Sequence, residues 1–217
     1  MLLVFVKPPQ PGAAATRLIP ALGPENAAEL YRVLTEEQLR RTRPQPGEYR
    51  RTLLFAPEEA RGDLLAWIGD EAVEPQPGPD PGARLTAAFA RAFDEGARRV
   101  AMVGTGVPWI SRELVLGAFA ALDENDVVLG PALDGGYYLL ALDRMRPALF
   151  QGIAWSTPAV LSTTAERAGA LGLTVKLLEP LDEIDTIEDL RAEWKRLRPL
   201  LESRKDLVVA IESALGG

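Results

Sequence analysis

The sequence contains no cysteine and no histidine among its 217 residues. These two absences exclude disulfides, thiolate nucleophiles, zinc sites built from Cys and His, and mechanisms in which an imidazole moves a proton, the Ser-His-Asp triad included. Any catalysis therefore has to use carboxylates, Lys, Arg, Tyr, hydroxyls, backbone N–H groups, or a hard metal ion held by oxygen ligands.

Long apolar runs and clusters of basic residues are also missing. The N-terminal apolar stretch ends at Lys7, too early for a signal peptide, and no later run approaches the ~20 apolar residues that cross a bilayer. Lys and Arg number 24 against 31 Asp and Glu, and they form no basic stripe, so a nucleic acid is not an expected partner. We expect a cytoplasmic protein without a membrane span, whose acidic surface favours solubility.

The sequence does contain an alternation of short apolar segments with amphipathic segments of helical length. The predicted strands are residues 2–6, 51–56, 99–104, 126–130, 137–142 and 173–180. The predicted helices are residues 23–42, 57–69, 83–97, 111–123, 157–172, 186–204 and 205–215. This alternation predicts an α/β protein with a mostly parallel sheet covered by helices on both faces. We expect a single domain over residues 1–217, with 199–217 as a C-terminal helical extension.

Two of these strands interrupt the alternation. Only residues 131–136 separate strand 126–130 from strand 137–142, which is too short for a right-handed crossover between parallel strands. One of the two is therefore expected to be antiparallel or displaced from its neighbour. Since ligands of such sheets bind beyond the carboxyl ends of the strands, the loops after residues 6, 104 and 130 are the candidate walls of a site.

Two cationic segments lie in predicted loops. Lys7 and Arg17 flank a Gly/Pro-rich turn after the first strand, where cations and backbone N–H groups can bind a phosphate. The alternative is a proline-stiffened crossover with two solvated charges. Gly82 and Arg84 begin the helix after the Pro-rich loop 75–82, where Arg84 either reaches a phosphate or stays solvated. Neither segment matches a Walker loop or a G-x-G-x-x-G fingerprint.

A glycine pair and a tryptophan mark two further loops. Asp134 precedes Gly135 and Gly136, so its carboxylate can bind a metal ion or a sugar hydroxyl, or can simply form the turn. Trp155 can stack on a sugar or a base, or can pack against the protein. Thr157 close by is predicted to be the N-cap of the following helix.

The segment 181–190 is rich in acidic residues. Thr186 with Asp189 three positions later resembles a capping box, although Asp replaces the usual Glu or Gln. Asp185 lies immediately before this cap, so capping does not explain its carboxylate, and the same argument applies more weakly to Asp182. Asp185 is therefore the second acidic candidate for a site.

Six segments occur in the order and at the spacings of one bacterial family. They are LLVFVKPPQPGAAATRLIPALG, PDPGARLTAAFARAF, VAMVGTGVPWIS, VVLGPALDGGYYLLAL, FQGIAWSTPAVL and LDEIDTIEDL. Over about residues 1–195 the chain resembles the glycosyltransferase-like family also called radical-SAM or selenodomain-associated transferases. The resemblance implies a Rossmann-like three-layer α/β/α fold of the glycosyltransferase-A type, in the nucleotide-diphospho-sugar transferase superfamily.

The resemblance also implies what the site binds. The implied ligands are a nucleotide sugar or a nucleoside triphosphate, Mg²⁺ or Mn²⁺, and an acceptor that the sequence does not name. Asp134 and Asp185 are implied as the catalytic and metal-binding residues. The residues implied to bind the nucleotide are Lys7, Gly12, Arg17, Gly82, Arg84, Gly104, Thr105, Gly135, Gly136 and Trp155.

The chain departs from the family pattern at three positions. Ala13 and Ala15 replace an Arg and a Lys of the first loop, and Gly106 stands where a metal-coordinating Asp is expected. Losing one electrostatic contact at such a site typically costs on the order of 10²–10³ in rate. Two functions therefore remain open. One is a transferase with a nucleotide-activated donor, and the other is a nucleotide-, sugar-phosphate- or protein-binding module that has lost catalysis. A dinucleotide-binding oxidoreductase has no fingerprint loop to support it.

Overall fold

The computed structural model describes residues 1–216, which form a seven-stranded sheet covered by helices. The strands are β1 (Leu2–Val6), β2 (Arg51–Phe55), β3 (Val73–Pro75), β4 (Val100–Val103), β5 (Val127–Pro131), β6 (Tyr137–Leu142) and β7 (Val175–Leu177). Their order in the sheet is β3-β2-β1-β4-β6-β5-β7. β6 runs antiparallel to both of its neighbours, and the other pairs are parallel. The prediction of an antiparallel strand beside the short 131–136 connection is confirmed.

Helices lie on both faces of the sheet. They are α1 (Ile19–Arg41), α2 (Arg61–Ile68), α3 (Pro81–Asp94), α4 (Arg112–Ala121), α5 (Val160–Ala170), α6 (Ile187–Leu197) and α7 (Lys205–Gly216). One core cluster joins the sheet to α1, α2, α4, α6 and α7, and a second joins it to α3 and α5. Leu2 and Val4 of β1 face the first cluster while Leu3 faces the second, as the period of two along a strand requires. The predicted three-layer α/β/α fold is confirmed. None of the helices within residues 1–216 is both long enough and apolar enough to cross a bilayer.

Several predicted boundaries are wrong by a few residues. A helical turn that begins at Ile19 was not predicted, and it ends in a kink at Gly23, which has a φ of 77°. The longer part of α1 follows this kink, where the sequence predicts the helix to begin. The predicted helix over 57–69 opens with a 3₁₀ turn, Glu58–Ala60, before α2 begins. The strand predicted over 173–180 is only three residues long, and β3 was not predicted.

The predicted N-cap role of Thr157 is also wrong. α5 begins at Val160 with Ala159 at the N-cap, and no side chain caps it. The Thr157 hydroxyl donates instead to the Ala154 carbonyl at 2.7 Å, and Ser156 adopts a φ of 62°. Residues 155–159 therefore form a turn that precedes the helix, which local capping statistics do not reveal.

The C-terminal helices follow the prediction more closely. The Thr186 hydroxyl accepts a hydrogen bond from the Asp189 N–H, and the Asp189 carboxylate accepts one from the Thr186 N–H, so the capping box is confirmed. Leu207 and Ile211 of α7 are buried in the core cluster that also contains α1. This helix thus contributes to the core.

Candidate functional site

A cleft opens at the carboxyl ends of β1 and β4. It consists of two adjoining cavities of about 810 and 280 Å³, which we call the large cavity and the small cavity. The residues that line both cavities are Phe5, Gln76, Glu183 and Asp185. The loops predicted to form site walls, after residues 6, 104 and 130, all contribute lining residues.

An ion pair joins a predicted basic residue to a predicted acidic one. Arg17 Nη1 lies 2.7 Å from Asp185 Oδ2, although the two residues are 168 positions apart in the chain. Arg17 lies in the 3₁₀ turn Thr16–Leu18 after the first loop, and the Asp185 N–H donates to Asp189 of the capping box at 3.2 Å. The side chains are 61% and 38% exposed, so both remain accessible to a ligand. The cap of α6 therefore fixes the backbone that presents Asp185.

A carboxyl group that the sequence prediction omits lies beside position 106. Gly106 has a φ of 119°, and its ideal Cβ position is 3.0 Å from Glu183 Oε1. The Ile184 N–H donates to the Gly106 carbonyl at 2.9 Å, which holds the segment containing Glu183 against the β4 loop. The site thus lacks an acid on residue 106 but has one next to it. Residue type alone did not distinguish Glu183 from the other acids of its segment.

The surroundings of Glu183 change its acidity. The pKa of its carboxyl is raised from the ordinary 4.5 to about 7. Burial is the main cause of this shift, and the nearby carboxylates of Asp185 and Asp134 also contribute to the increase. Arg17 opposes these effects only in part. Desolvation is the larger cause, so the acidity of Glu183 is set mainly by the burial of its carboxyl in the cleft.

Lys7 and Thr105 line the small cavity, whereas Gly104, next to Thr105, does not. Lys7 is exposed. The Gly104 carbonyl accepts a hydrogen bond from Gln38 Nε2 at 2.6 Å, and the Thr105 hydroxyl is 2.9 Å from that of Tyr31. The polar groups of Gly104 and Thr105 are thus bonded to α1, which the sequence prediction did not anticipate.

The Asp134 turn is both a structural turn and a wall of the large cavity. Asp134 Oδ1 accepts a hydrogen bond from the Gly136 N–H at 2.8 Å, and both residues line the cavity. Gly135 has a φ of 88°, and a Cβ there would overlap the Pro158 carbonyl. The Gly135 carbonyl accepts from the Leu161 N–H at 2.9 Å. The glycine pair therefore lets this turn pack against the segment that precedes α5.

Trp155 and Arg84 also line the large cavity. The buried Gly82 makes room for Trp155, since a Cβ on Gly82 would lie 2.7 Å from the indole Nε1. Arg84 Nε donates to the Gly78 carbonyl at 3.1 Å while its side chain lines the cavity. Gly12 has a φ of 82° in an exposed turn, with no heavy atom within 4 Å of its ideal Cβ position. Neither Gly82 nor Gly12 lines the cleft, so both act on its shape only through their neighbours.

The carboxylates of the cleft suit one type of metal site. Within residues 1–216 no group of three or more acidic side chains is placed to hold a metal ion. Mg²⁺ is usually held by one or two carboxylates together with substrate phosphates and water. Asp134, Glu183 and Asp185 all line the large cavity. This set of oxygen donors fits a cation that arrives with a phosphate-bearing ligand, and it does not fit a cation held by protein alone.

Comparison with protein families identifies the class of this chain. Residues 40–157 match the model of a family described as uncharacterized protein conserved in bacteria (DUF2064). This match covers more than half of the chain, and the protein belongs to that bacterial family. A comparison with curated proteins gives no match.

Solved structures share the fold over nearly the whole chain. A Desulfovibrio desulfuricans G20 protein, provisionally named a nucleotide-diphospho-sugar transferase, is 31% identical with a TM-score of 0.88, covering 97% of this chain and 96% of that one. The 4-diphosphocytidyl-2C-methyl-D-erythritol synthase of Anaerococcus prevotii DSM 20548 is 12% identical, with a TM-score of 0.58 and coverage of 91% and 98%. Rv0371c of Mycobacterium tuberculosis H37Rv, solved with manganese, is 15% identical, with a TM-score of 0.52 and coverage of 88% and 96%. The two more distant structures establish the fold alone.

Proposed function

We propose that this protein is a transferase that uses a nucleotide-activated donor, either a nucleotide sugar or a nucleoside triphosphate. The observation that carries the proposal is the cleft, in which cationic and acidic side chains meet at the carboxyl ends of β1 and β4. The shared fold supports it, since the 31% identical structure bears the provisional name of a nucleotide-diphospho-sugar transferase. The fold is also that of a synthase named for a diphosphocytidyl product.

The side chains of the cleft would contact different parts of the substrates. Lys7 and Arg17 would neutralise the phosphates of the donor, together with Arg84 of the large cavity. Asp134 would orient the acceptor through a hydrogen bond to its hydroxyl. Trp155 would offer its indole face to a sugar ring or a base.

A divalent cation belongs to this proposal as a companion of the nucleotide. Asp134 and Asp185 would hold it together with phosphate oxygens, since Mg²⁺ commonly binds in this way. When bound, the cation would offset negative charge on the leaving diphosphate. Arg17 occupies one oxygen of Asp185 in this structure, so a phosphate that attracts Arg17 would also free that carboxylate.

A second function is favoured by the altered loop residues. Ala13, Ala15 and Gly106 remove three polar contacts that the resemblance leads one to expect, and the first loop presents methyl groups to the small cavity instead. A module that binds a nucleotide or a sugar phosphate without turnover would tolerate these changes. The two functions differ in whether a product forms and in whether binding depends on metal.

The test is a thermal-shift and calorimetry panel of nucleotides and nucleotide sugars, each with and without Mg²⁺ or Mn²⁺. A ligand at 100 times its dissociation constant should stabilise the protein by about 2.7 kcal/mol, which is readily seen. Arg17→Ala should weaken binding roughly 10- to 100-fold, because a hydrogen bond to a charged group is lost.

The matched control is Arg61→Ala, which removes an exposed arginine at the start of α2, outside the cleft. A metal-dependent shift with one nucleotide, followed by product formation, supports the transferase. A shift that ignores metal, without product, supports the binding module. No shift with any ligand, or equal losses in both arginine variants, would contradict both functions.

A further inference from the structure

The hydroxyl of Tyr31 joins two loops of the cleft. Tyr31 lies on α1, and its side chain is almost fully buried, with 8% of the residue exposed. Its oxygen accepts a hydrogen bond from the Lys7 N–H at 2.9 Å and lies 2.9 Å from the Thr105 hydroxyl. Lys7 begins the loop after β1, and Thr105 belongs to the loop after β4. One phenol group therefore contacts both walls of the small cavity.

The hydrogen bonds of these groups form a ring in which each donor group donates to the next group. The Thr105 hydroxyl donates to the Phe5 carbonyl at 3.3 Å. Because a hydroxyl has one proton, Tyr31 must then be the donor to Thr105. The ring runs from the Lys7 N–H to Tyr31, from Tyr31 to Thr105, and from Thr105 back to Phe5 at the end of β1. Desolvation by burial raises the pKa of Tyr31, so its phenol keeps the proton that this ring needs.

The position of the ring in the sheet explains its importance. The ladder between β1 and β4 pairs Leu2 with Ala101, Leu3 with Met102 and Val4 with Val103, and ends there. Beyond this last pair the two chains separate, and the small cavity opens between their loops. The Tyr31–Thr105 contact spans the gap at the point where backbone hydrogen bonds between the two strands stop.

We propose that Tyr31 is a positioning residue for the phosphate-binding end of the cleft. Its hydroxyl fixes the spacing between the loop that carries Lys7 and the loop that carries Gly106, so that a diphosphate group finds both loops already ordered. This role rests on the proposed function, since it presupposes a phosphate-bearing ligand in the small cavity. Packing alone does not require the hydroxyl, because a phenylalanine side chain would fill the same buried space as the aromatic group of Tyr31.

The experiment compares Tyr31→Phe with Tyr49→Phe. Tyr49 is the matched control, because its hydroxyl is also hydrogen-bonded to the backbone, donating to the Thr42 carbonyl at 2.7 Å, but it lies outside the cleft. The probes are inorganic pyrophosphate and CTP, titrated by calorimetry, and the exchange rate of the Lys7 amide, followed by NMR. We expect Tyr31→Phe to lose about tenfold in pyrophosphate affinity, the value of one hydrogen bond, and to accelerate exchange of the Lys7 amide at least as much. Tyr49→Phe should change neither quantity by more than about twofold.

A second variant checks that the ring acts as a unit. Thr105→Val removes the other hydroxyl and should cause a similar loss of affinity, and the double variant should lose no more than either single variant. Thr105→Ser, which keeps a hydroxyl, should retain most of the affinity.

The outcomes distinguish a failure of the proposed function from a failure of the role of Tyr31. Wild-type protein that binds neither pyrophosphate nor CTP overturns this role, and wild-type protein that also binds no other nucleotide or nucleotide sugar overturns the proposed function with it. Wild-type binding with full affinity in Tyr31→Phe, or with equal losses in Tyr49→Phe, overturns the role of Tyr31 alone. Additive losses in Tyr31→Phe and Thr105→Val would likewise show that no ring connects them.

Discussion

The Glu183 carboxyl occupies space that a side chain on residue 106 would need. Its Oε1 lies 3.0 Å from the ideal Cβ position of Gly106, and both residues line the small cavity. The acid that the resemblance implies at residue 106 is absent, and the Glu183 carboxyl of another loop lies beside that position. The placement of Glu183 carries a cost, because burial disfavours the charged form of its carboxyl.

Replacing this acid should stabilise the protein, and more so at high pH. The pKa of Glu183 is about 7 in the folded protein against an ordinary 4.5. At pH values below 4.5 the carboxyl is protonated in both the folded and the unfolded state, so its burial does not lower the stability of the protein. As pH rises through the folded pKa, wild-type stability falls, because the unfolded chain releases the proton more readily. Glu183→Gln should therefore gain on the order of 2 kcal/mol at pH 8 and little at pH 4.5.

Urea unfolding at several pH values in the presence of EDTA measures this difference. Glu179→Gln removes an exposed carboxylate nearby in the chain and serves as the control. A gain for Glu183→Gln that is the same at every pH would contradict the prediction, because a neutral packing effect does not titrate.

The Arg17–Asp185 pair makes a second prediction at this scale. Asp185→Asn should let Arg17 bind pyrophosphate more tightly in the absence of metal, since the guanidinium no longer has a carboxylate partner at 2.7 Å. Exposed ion pairs contribute roughly 0.2–1 kcal/mol, so the expected gain in affinity is between about 1.4-fold and fivefold.

Calorimetry with Asp182→Asn as control checks this gain, because that variant makes the same charge change in the same segment. An equal gain in both variants would show that only the overall charge of the segment matters. No gain in Asp185→Asn would show that the pair does not compete with the anion.

At the scale of elements, the β5–β6 turn and the segment before α5 act as one wall. Gly135 allows this contact, since it has a φ of 88° and no room for a Cβ beside Pro158. The Gly135 carbonyl then accepts from the Leu161 N–H. The same contact places Asp134 and Trp155 around one cavity.

Gly135→Ala should destabilise the protein by about 2–4 kcal/mol. The left-handed backbone costs an alanine about 1 kcal/mol, and the overlap with Pro158 adds the cost of forcing backbone apart. Gly152→Ala separates these effects, because Gly152 has a φ of 70° but its nearest neighbour would be Arg167 Nη1 at 3.8 Å. Urea unfolding should show that the control variant loses only about 1 kcal/mol of stability. Equal losses in the two variants would contradict the packing argument.

At the scale of the whole molecule, the common direction of three strands assembles the cleft. β1, β4 and β5 run parallel in the sheet, and β6 returns antiparallel between β4 and β5. The turn from β5 to β6 therefore lies at the same edge as the loops after β1 and β4. Asp134 follows the carboxyl end of β5, so it lines the cleft to which Lys7 and Thr105 also contribute.

α1 supports the same edge from one face of the sheet. Its Tyr31 and Gln38 bond to the loops after β1 and β4. The cleft is thus built from loops of several strands and braced by a helix. A ligand that contacts these loops should raise the stability of the whole fold.

The sequence by itself determined the features that depend on neighbouring residues. Periodicity and the short 131–136 connection predicted the α/β class and the antiparallel strand, and both are confirmed. Spacing within one turn of helix predicted the capping box of Thr186 and Asp189. Order along the chain also indicated which loops would line the cleft, because parallel strands end at a common edge.

Only the tertiary structure decided which side chains meet there. Arg17 and Asp185 are 168 residues apart, and Tyr31 and Thr105 are 74 apart. Glu183 and Gly106 come together through a backbone hydrogen bond between two loops. No local pattern encodes such pairs, since each depends on how loops from distant strands pack against one another.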